Sequence, residues 1–588
     1  MRPLRLVPAC LVLIVLMFPL LPMSSPAAPR DAEWKQVEEH LAGALPQSAI
    51  EVLTSIEAAA REEKAWPELA KAVAYRIVAE TRIQGKQPEE KIQLIEEALT
   101  DAPEEIAPIL KTLLASAYWD YFQDNRWRLL QRTRTSETPG EDFETWDLPR
   151  LLREIDTRYR SALEKADALQ EIPLVDFDTL LVTGNVPAPF RPTLYDFLAH
   201  EALAFYTAAE QVGAAPQDSF GFDAASPALG TMAEFLDWKP ESTDSDSPTL
   251  RAVLLYQDLL RFHASDADPS ARVLIDLERL EWAASEAVGD TAETRAREQL
   301  RALWENHADT EAGVAVAAAL AERLAEAEEF VEARRIAGTA TEPFPDSVFA
   351  IACRNLVKRI EARELRIGTE EVWNAAGAEI EITYRNITET HFRLVPREWT
   401  LSGDRWETPD NVDRDDILAA LREDAVASWS VTLEKTEDYR SRTIRVPAPA
   451  EQKPGFYLLI ASASDDFGSE DNQLSATTLW VSPLALITRR SPDGAEGFVL
   501  DALSGEPIAG AVVEVWRVDK NGRWSRDPIR KKTDAMGFFK EKAKVRPVLF
   551  LATHDGAAVT SGQMHLWSGG GKPDPLRTWL FTDRSIYR

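Results

Sequence analysis

The sequence predicts a multidomain chain of α-then-β class, a helical-hairpin solenoid followed by small β-sandwiches. Three observations carry this. Over residues 31–364 apolar residues recur every three or four positions with short breaks, the helical period. After Leu365 the period drops to two, the period of strands. The length of 588 residues exceeds what one core supports, and at roughly 150 residues per domain it predicts about three or four units.

The amino terminus reads as a signal peptide over residues 1–27. Arg2 and Arg5 form a basic start, residues 11–21 an apolar run, and Ser25-Pro-Ala27 a small-residue cleavage site. Pro19 and Pro22 interrupt the run before the roughly 20 apolar residues that a membrane span needs. Export to a bacterial periplasm or cell surface is the expectation, with membrane contact only through this segment. Cys10 leaves with it, so Cys353 remains alone and forms no internal bridge.

In the helical part, Leu69, Val73 and Ile77 form a stripe, and Ile92, Ile95 and Leu99 continue it after a Gly85 stop and a Pro88 start. Asp101 with Pro103 is expected to cap the next helix, which carries Ile106, Leu110 and Leu113. An Ala-rich helix over 311–327 precedes one over 330–337 and another carrying Phe349, Cys353, Leu356 and Ile360. Consecutive hairpins with polar outer faces resemble tetratricopeptide arrays, although the repeat signature is incomplete and the period irregular. Residues 135–141, 175–192 and 242–247, rich in Pro, Gly, Ser, Thr or Asp, read as loops.

The β-part opens with a sandwich over 365–482. Glu379-Ile-Glu-Ile-Thr-Tyr384 alternates polar and apolar residues, whereas Gly455-Phe-Tyr-Leu-Leu-Ile-Ala461 is a continuous apolar run of buried-strand length. A helical insertion is expected over 415–423. A second sandwich spans 484–567, where Gly505-Glu-Pro-Ile-Ala-Gly-Ala-Val-Val-Glu-Val515 opens a strand and Thr533-Asp-Ala-Met-Gly-Phe538 forms a turn. A linker over 568–577 leads to a new strand over 578–588. Both sandwiches read as immunoglobulin-like.

The strand opening at Gly505, the turn at Gly537 and the closing Phe581-Thr-Asp-Arg-Ser-Ile-Tyr-Arg588 together resemble the amino-terminal part of bacterial alpha-2-macroglobulin family proteins. Phe581, Thr582, Asp583, Arg584, Tyr587 and Arg588 match the motif that opens the macroglobulin sandwich called MG2. In the family that motif continues with Pro-Gly, so 578–588 is expected to be the first strand of a truncated MG2 domain. The resemblance makes 365–482 MG1-like. It leaves 484–567 open between a macroglobulin sandwich and a carboxypeptidase-regulatory-like module of the same fold. The segment Arg191-Pro-Thr-Leu-Tyr-Asp-Phe-Leu-Ala-His200 also resembles a stretch of the family's helical regions. Members trap proteases that cleave an exposed bait, and many then bond them through a Cys-x-x-Gln thioester. Cys353 is followed by Arg354-Asn-Leu356 and cannot supply one. Its spacing places it on an apolar helix face as a small hydrophobe.

No catalytic, cofactor or metal site is expected. His200-Glu201 begins like a zinc-protease helix, but position 204 is Ala. Asp196 and His200, four residues apart, are expected to form a hydrogen-bonded helix pair. The glycines before Lys572 suggest a phosphate loop, yet Pro573 stands where the hydroxyl belongs. The acidic loops 465–471 and 263–268 lack calcium-loop spacing and read as solvated turns. Trp373, Trp480 and Trp579 sit in apolar patterns and read as core or interface. A net charge of −31 lacks the basic footprint that nucleic acid requires.

The sequence thus predicts a non-enzymatic scaffold from an exported alpha-2-macroglobulin-like endopeptidase inhibitor. Its partners are target proteases, met through a bait and any thioester beyond this chain, and envelope proteins met through the helical region. The alternative is an exported envelope-binding or adhesion scaffold.

Overall fold

The computed structural model describes residues 30–566, apart from 85–87, 132–141, 179, 182–185, 209–219, 245, 375–377, 402–411, 450–451, 469, 492–493, 519–520, 528 and 543–545. The signal segment, the linker and the closing motif from Phe581 to Arg588 lie outside the described residues, as does the loop 135–141. Helices come first and strands after them, the α-then-β order that the change of period predicts. The chain divides into two compact units, residues 1–357 and 358–588.

The helices are α1 (Asp31–Ala42), α2 (Pro46–Glu63), α3 (Trp66–Gln84), α4 (Pro88–Thr100), α5 (Ala107–Asp124), α6 (Arg126–Gln131), α7 (Leu148–Ala162), α8 (Ala166–Gln170), α9 (Leu194–Tyr206), α10 (Met232–Asp237), α11 (Pro248–Phe262), α12 (Ser270–Glu286), α13 (Ala292–His307), α14 (Glu311–Glu326), α15 (Phe330–Thr341) and α16 (Val348–Glu361). From α1 to α5, and again from α12 to α15, each helix packs on the next, as in a solenoid. Their apolar stripes are buried: Leu69, Val73 and Ile77 on α3, Ile92 and Ile95 on α4, Leu110 on α5. Between these runs the succession breaks. There α9 packs on α5, α7, α8 and α11, and α12 packs on the short 3-10 turns Ala188–Phe190 and Pro227–Leu229 as well as on α14.

One helix start is corrected. α5 begins at Ala107 rather than at a cap formed by Asp101 and Pro103. The carbonyl of Pro103 accepts from the N–H groups of Ile106 and Ala107, so these residues close a turn ahead of the helix. Cys353 is fully buried, its thiol facing the Val314 carbonyl 3.9 Å away, and burial pushes its pKa up to about 11. It packs as the small hydrophobe that its helix face predicts.

The second unit holds two sandwiches. The first pairs a three-stranded antiparallel sheet, β1 (Glu364–Thr369), β3 (Glu379–Arg385) and β6 (Arg442–Pro447), with a five-stranded one of order β2-β8-β7-β4-β5. These are β2 (Val372–Trp373), β4 (Glu389–Arg397), β5 (Ala427–Thr432), β7 (Gly455–Ser462) and β8 (Leu474–Val481). Ile380, Ile382 and Tyr384 from β3 meet Phe392, Leu394, Tyr457, Leu459 and Leu479 in its core. The opposite face of β7 is also buried. Leu458 and Ile460 pack with Val395, Phe467, and Ile417 and Ala420 of the inserted helix α17 (Arg414–Ala420). Two buried faces explain why the β7 segment is continuously apolar instead of alternating. The acidic loop that follows is a solvated turn, with the Asp466 carboxylate accepting from Ser464 and the Gly468 N–H, and Phe467 alone among its described residues turned into the core.

The second sandwich faces β9 (Leu484–Ser491), β10 (Gly494–Asp501) and β14 (Phe538–Lys542) against a sheet built on β11 (Val512–Val518). β11 carries β12 (Trp524–Arg526) and β13 (Lys531–Lys532) on one side and β15 (Arg546–His554) on the other. β15 in turn holds β16 (Ala557–Thr560) and β17 (Met564–Leu566). Val499, Val513, Val515, Phe539, Val548 and Phe550 fill the space between the sheets. Trp373 and Trp480 are buried, and the Trp480 indole donates to the Thr560 hydroxyl of the second sandwich at 2.9 Å. Core and interface roles are therefore combined in Trp480.

Candidate functional site

A constellation of buried titratable groups lies in the helical unit, where the solenoid succession breaks. It is seeded by residues 191–200. Thr193 caps α9: its hydroxyl accepts from the Asp196 N–H, and the Asp196 carboxylate accepts from the N–H and hydroxyl of Thr193. This reciprocal cap fixes the Asp196 side chain at the positive end of a helix buried on nearly every side.

The second oxygen of Asp196 accepts from His263 Nε2 at 2.7 Å, and the other ring nitrogen of His263 bonds Asp266 at 2.7 Å. Asp196 is 0 % and His263 1 % exposed. An imidazole between two carboxylates donates from both nitrogens only when protonated. Burial works to lower the His263 pKa, and the hydrogen bonds and charges of Asp196 and Asp266 overcome it, leaving a net rise. Burial likewise opposes ionisation of Asp196, yet His263, Thr193 and His200 hold its pKa below the usual value.

A second layer adjoins. Arg191 donates to Glu278 on α12 at 3.2 Å, and His200 Nε2 stands 3.3 Å from the other Glu278 oxygen, at ion-pair distance but outside hydrogen-bond geometry. Against the cost of burial, His200 and Arg191 bring the Glu278 pKa down to about 2. Glu201, the residue after His200 on α9, is buried with less compensation. Burial pushes its pKa up to about 7, opposed by Arg191 and reinforced by Asp120. Glu281 is raised to about 7 by burial in the same way, opposed by Arg323. Further along α12, the enclosed Arg279 donates to Asp276, to the Ala228 carbonyl at 2.8 Å and to the Gly230 carbonyl at 3.1 Å.

One expectation is met and one is corrected. Asp196 and His200 are a hydrogen-bonded helix pair, joined through the backbone of Asp196. His200 Nδ1 bonds the Asp196 backbone carbonyl at 2.6 Å, because the Asp196 carboxylate is taken by Thr193 and His263. The loop at 263–268 is not simply a solvated turn, since His263 at its head is buried between carboxylates. Chemically the arrangement is an ionic staple. Both nitrogens of His263 are engaged, so it has no lone pair with which to take a proton. Among the described residues no group of three His, Cys, Asp or Glu is placed to hold a metal ion.

Two clefts lie among the described residues. One of about 390 Å³ at the end of the first sandwich is lined by Arg363, Asn386, Glu389, His391 and Asp465, and one of about 170 Å³ between α12 and α13 by Arg272, Asp276 and His307.

In the second sandwich the strand opening and turn that carry the family resemblance lock onto one another. The Thr533 hydroxyl accepts from the Ala511 N–H at 2.9 Å and donates to the Ile508 carbonyl at 2.7 Å. The Asp534 carboxylate accepts from the N–H groups of Met536 and Phe538, both at 2.9 Å. Gly537 closes this turn at φ +67, where an added Cβ would stand 2.5 Å from the Val499 carbonyl. Gly537→Ala is therefore expected to destabilise the sandwich by about 1–3 kcal/mol, read as a lower urea midpoint. An unchanged midpoint would mean that the turn does not require its left-handed residue.

No protein-family profile matches the chain, and no curated protein matches it. Among solved structures it is similar to native alpha-2-macroglobulin from Escherichia coli spanning domains NIE-MG1, at 15 % identity over 35 % of this chain and 98 % of that one, with a TM-score of 0.25. A longer fragment of the same protein, spanning MG0-NIE-MG1, gives 16 % identity over 34 % of this chain and 64 % of that one, with a TM-score of 0.24. Alkylpurine DNA glycosylase AlkC from Pseudomonas fluorescens, solved bound to DNA, matches 76 % of this chain and 92 % of its own at 8 % identity, with a TM-score of only 0.12.

Proposed function

We propose that the chain is the amino-terminal scaffold of an exported alpha-2-macroglobulin-like endopeptidase inhibitor. The single observation that carries this reading is the order of motifs along the chain. A strand opening at Gly505 and a turn at Gly537, locked together within one sandwich, are followed by the MG2-type segment Phe581-Thr-Asp-Arg-Ser-Ile-Tyr-Arg588. In this reading the sandwiches begin the ring that closes on a protease, and the helical unit presents an extended surface to envelope partners. In the same reading the scaffold carries no catalysis of its own, and the ionic staple ties α9 to the loop at His263.

Reading the coding sequence past Arg588 tests the proposal. The expected result is a Pro-Gly continuation, further sandwich domains and an exposed bait segment. The encoded protein, once cleaved, should shield a protease from large substrates while leaving small peptides accessible. A stop codon after Arg588 with a stable secreted product would sink the inhibitor reading and leave the envelope-binding scaffold in its place.

A further inference from the structure

We propose that the short helix α6 docks the helical unit on a bilayer surface rich in anionic phospholipid. Leu129, 1 % exposed, pins this turn to the unit, while Trp127 at 80 % and Leu130 at 43 % project outward. No other large apolar side chain among the described residues is as exposed as Trp127. Single exposed apolar residues are ordinary on protein surfaces, but an indole is large and amphipathic, and one left this bare marks a contact.

The flanking charges identify the contact. Arg126 and Arg128, the sequence neighbours of Trp127, are both exposed. Arg128 also donates to the Tyr121 hydroxyl at 2.5 Å with its guanidinium 5.7 Å from that ring, which ties this cation to α5. In a chain of net charge −31, the helix from Arg126 to Gln131 contains two arginines and no acid. Asp120, one turn earlier on α5, lies 3.6 Å from Lys91.

Guanidinium groups pair with phosphate in a bidentate fork, and Trp settles at the level of lipid headgroups. A cationic helix turn with an outward indole therefore fits a membrane interface of negative charge. Nucleic acid would require a broader basic footprint than this acidic chain offers. One apolar anchor with a few cations gives peripheral, reversible binding, and no described helix is long and apolar enough to cross a membrane. The inference departs from the expectation that membrane contact ends with the signal segment, and it does not depend on the inhibitor reading.

Flotation of the full chain with vesicles tests it. The quantity read is the gain in bound fraction on passing from phosphatidylcholine alone to a mixture with about one third phosphatidylglycerol, so that the apolar run at 11–21 contributes equally to both. Trp127→Ala and the pair Arg126→Glu/Arg128→Glu should each cut that gain roughly tenfold, and added salt should weaken it. Arg366→Glu/Arg445→Glu, which reverses two exposed cations in the second unit, should leave it intact. No gain with phosphatidylglycerol, or equal losses in the control pair, would overturn the proposal. So would vesicle binding that survives both α6 variants, or a Trp127→Ala effect confined to self-association, which would assign the patch to a second copy of the chain.

Discussion

Asp196→Ala is expected to lower the unfolding free energy of the helical unit by about 3–5 kcal/mol, the usual cost of removing one partner from a buried ion pair. Three losses combine. The α9 cap goes, at about 1 kcal/mol. His263, enclosed at 1 % exposure, keeps its burial and loses its main counter-charge. The loop at 263–266 loses its tie to α9. Urea titration followed at the helical band of the circular dichroism spectrum reads this unit, because the second unit is mainly sheet. His263→Ala in the Asp196→Ala background should then cost far less than in the wild type, since the two act as one. A loss below about 1 kcal/mol for Asp196→Ala would show that the staple carries no stability.

The second large effect is an acid optimum of stability. Glu201 and Glu281 have folded pKa values raised from 4.5 to about 7, so the folded state binds more protons than the unfolded one between those values. Stability from these groups is full below pH 4.5 and falls as pH rises through 7. His263, raised above 6.5, acts in the same sense: its contribution is present below that value and is lost as pH rises through the folded pKa. Asp196 and Glu278 oppose at the acid end, because their folded values lie below 3.8 and 4.5, and their contribution disappears as pH falls through the folded pKa. The helical unit should be most stable near pH 5 and lose several kcal/mol by pH 8, with Glu201 alone worth up to about 3 kcal/mol. Glu201→Gln, which mimics the protonated acid, should raise stability at pH 8 and flatten the slope. A midpoint that rises steadily from pH 5 to pH 8 would contradict the assignment.

Local signals were legible in the sequence and long-range ones were not. The four-residue stripe of α3 and the alternation in β3 are written within a few positions, and both map onto buried faces. The helical insertion at α17 was likewise visible from its own residues, although not what it covers. The staple was hidden because its two halves, Asp196 and His263, stand 67 positions apart. Only the fold-back that interrupts the solenoid joins them. Two local signs pointed that way: Thr193 and Asp196 at capping-box spacing, and a His three residues ahead of Asp266. Neither names its partner. The late start of α5 was missed for a smaller reason, since Pro103 anchors a turn as readily as a helix.

The helix laid over the outside of β7 has a consequence for assembly. It makes the first sandwich three layers deep where β4 and β7 lie, with that part of the five-stranded sheet buried above and below, whereas the β1-β3-β6 sheet keeps an open side. That side carries Thr383 hydrogen-bonded to Thr443 and Glu381 paired with Arg445. A neighbouring domain finds no greasy plane there on which to stack. This module must join others by its rims and loop ends, as a keystone does by its edges.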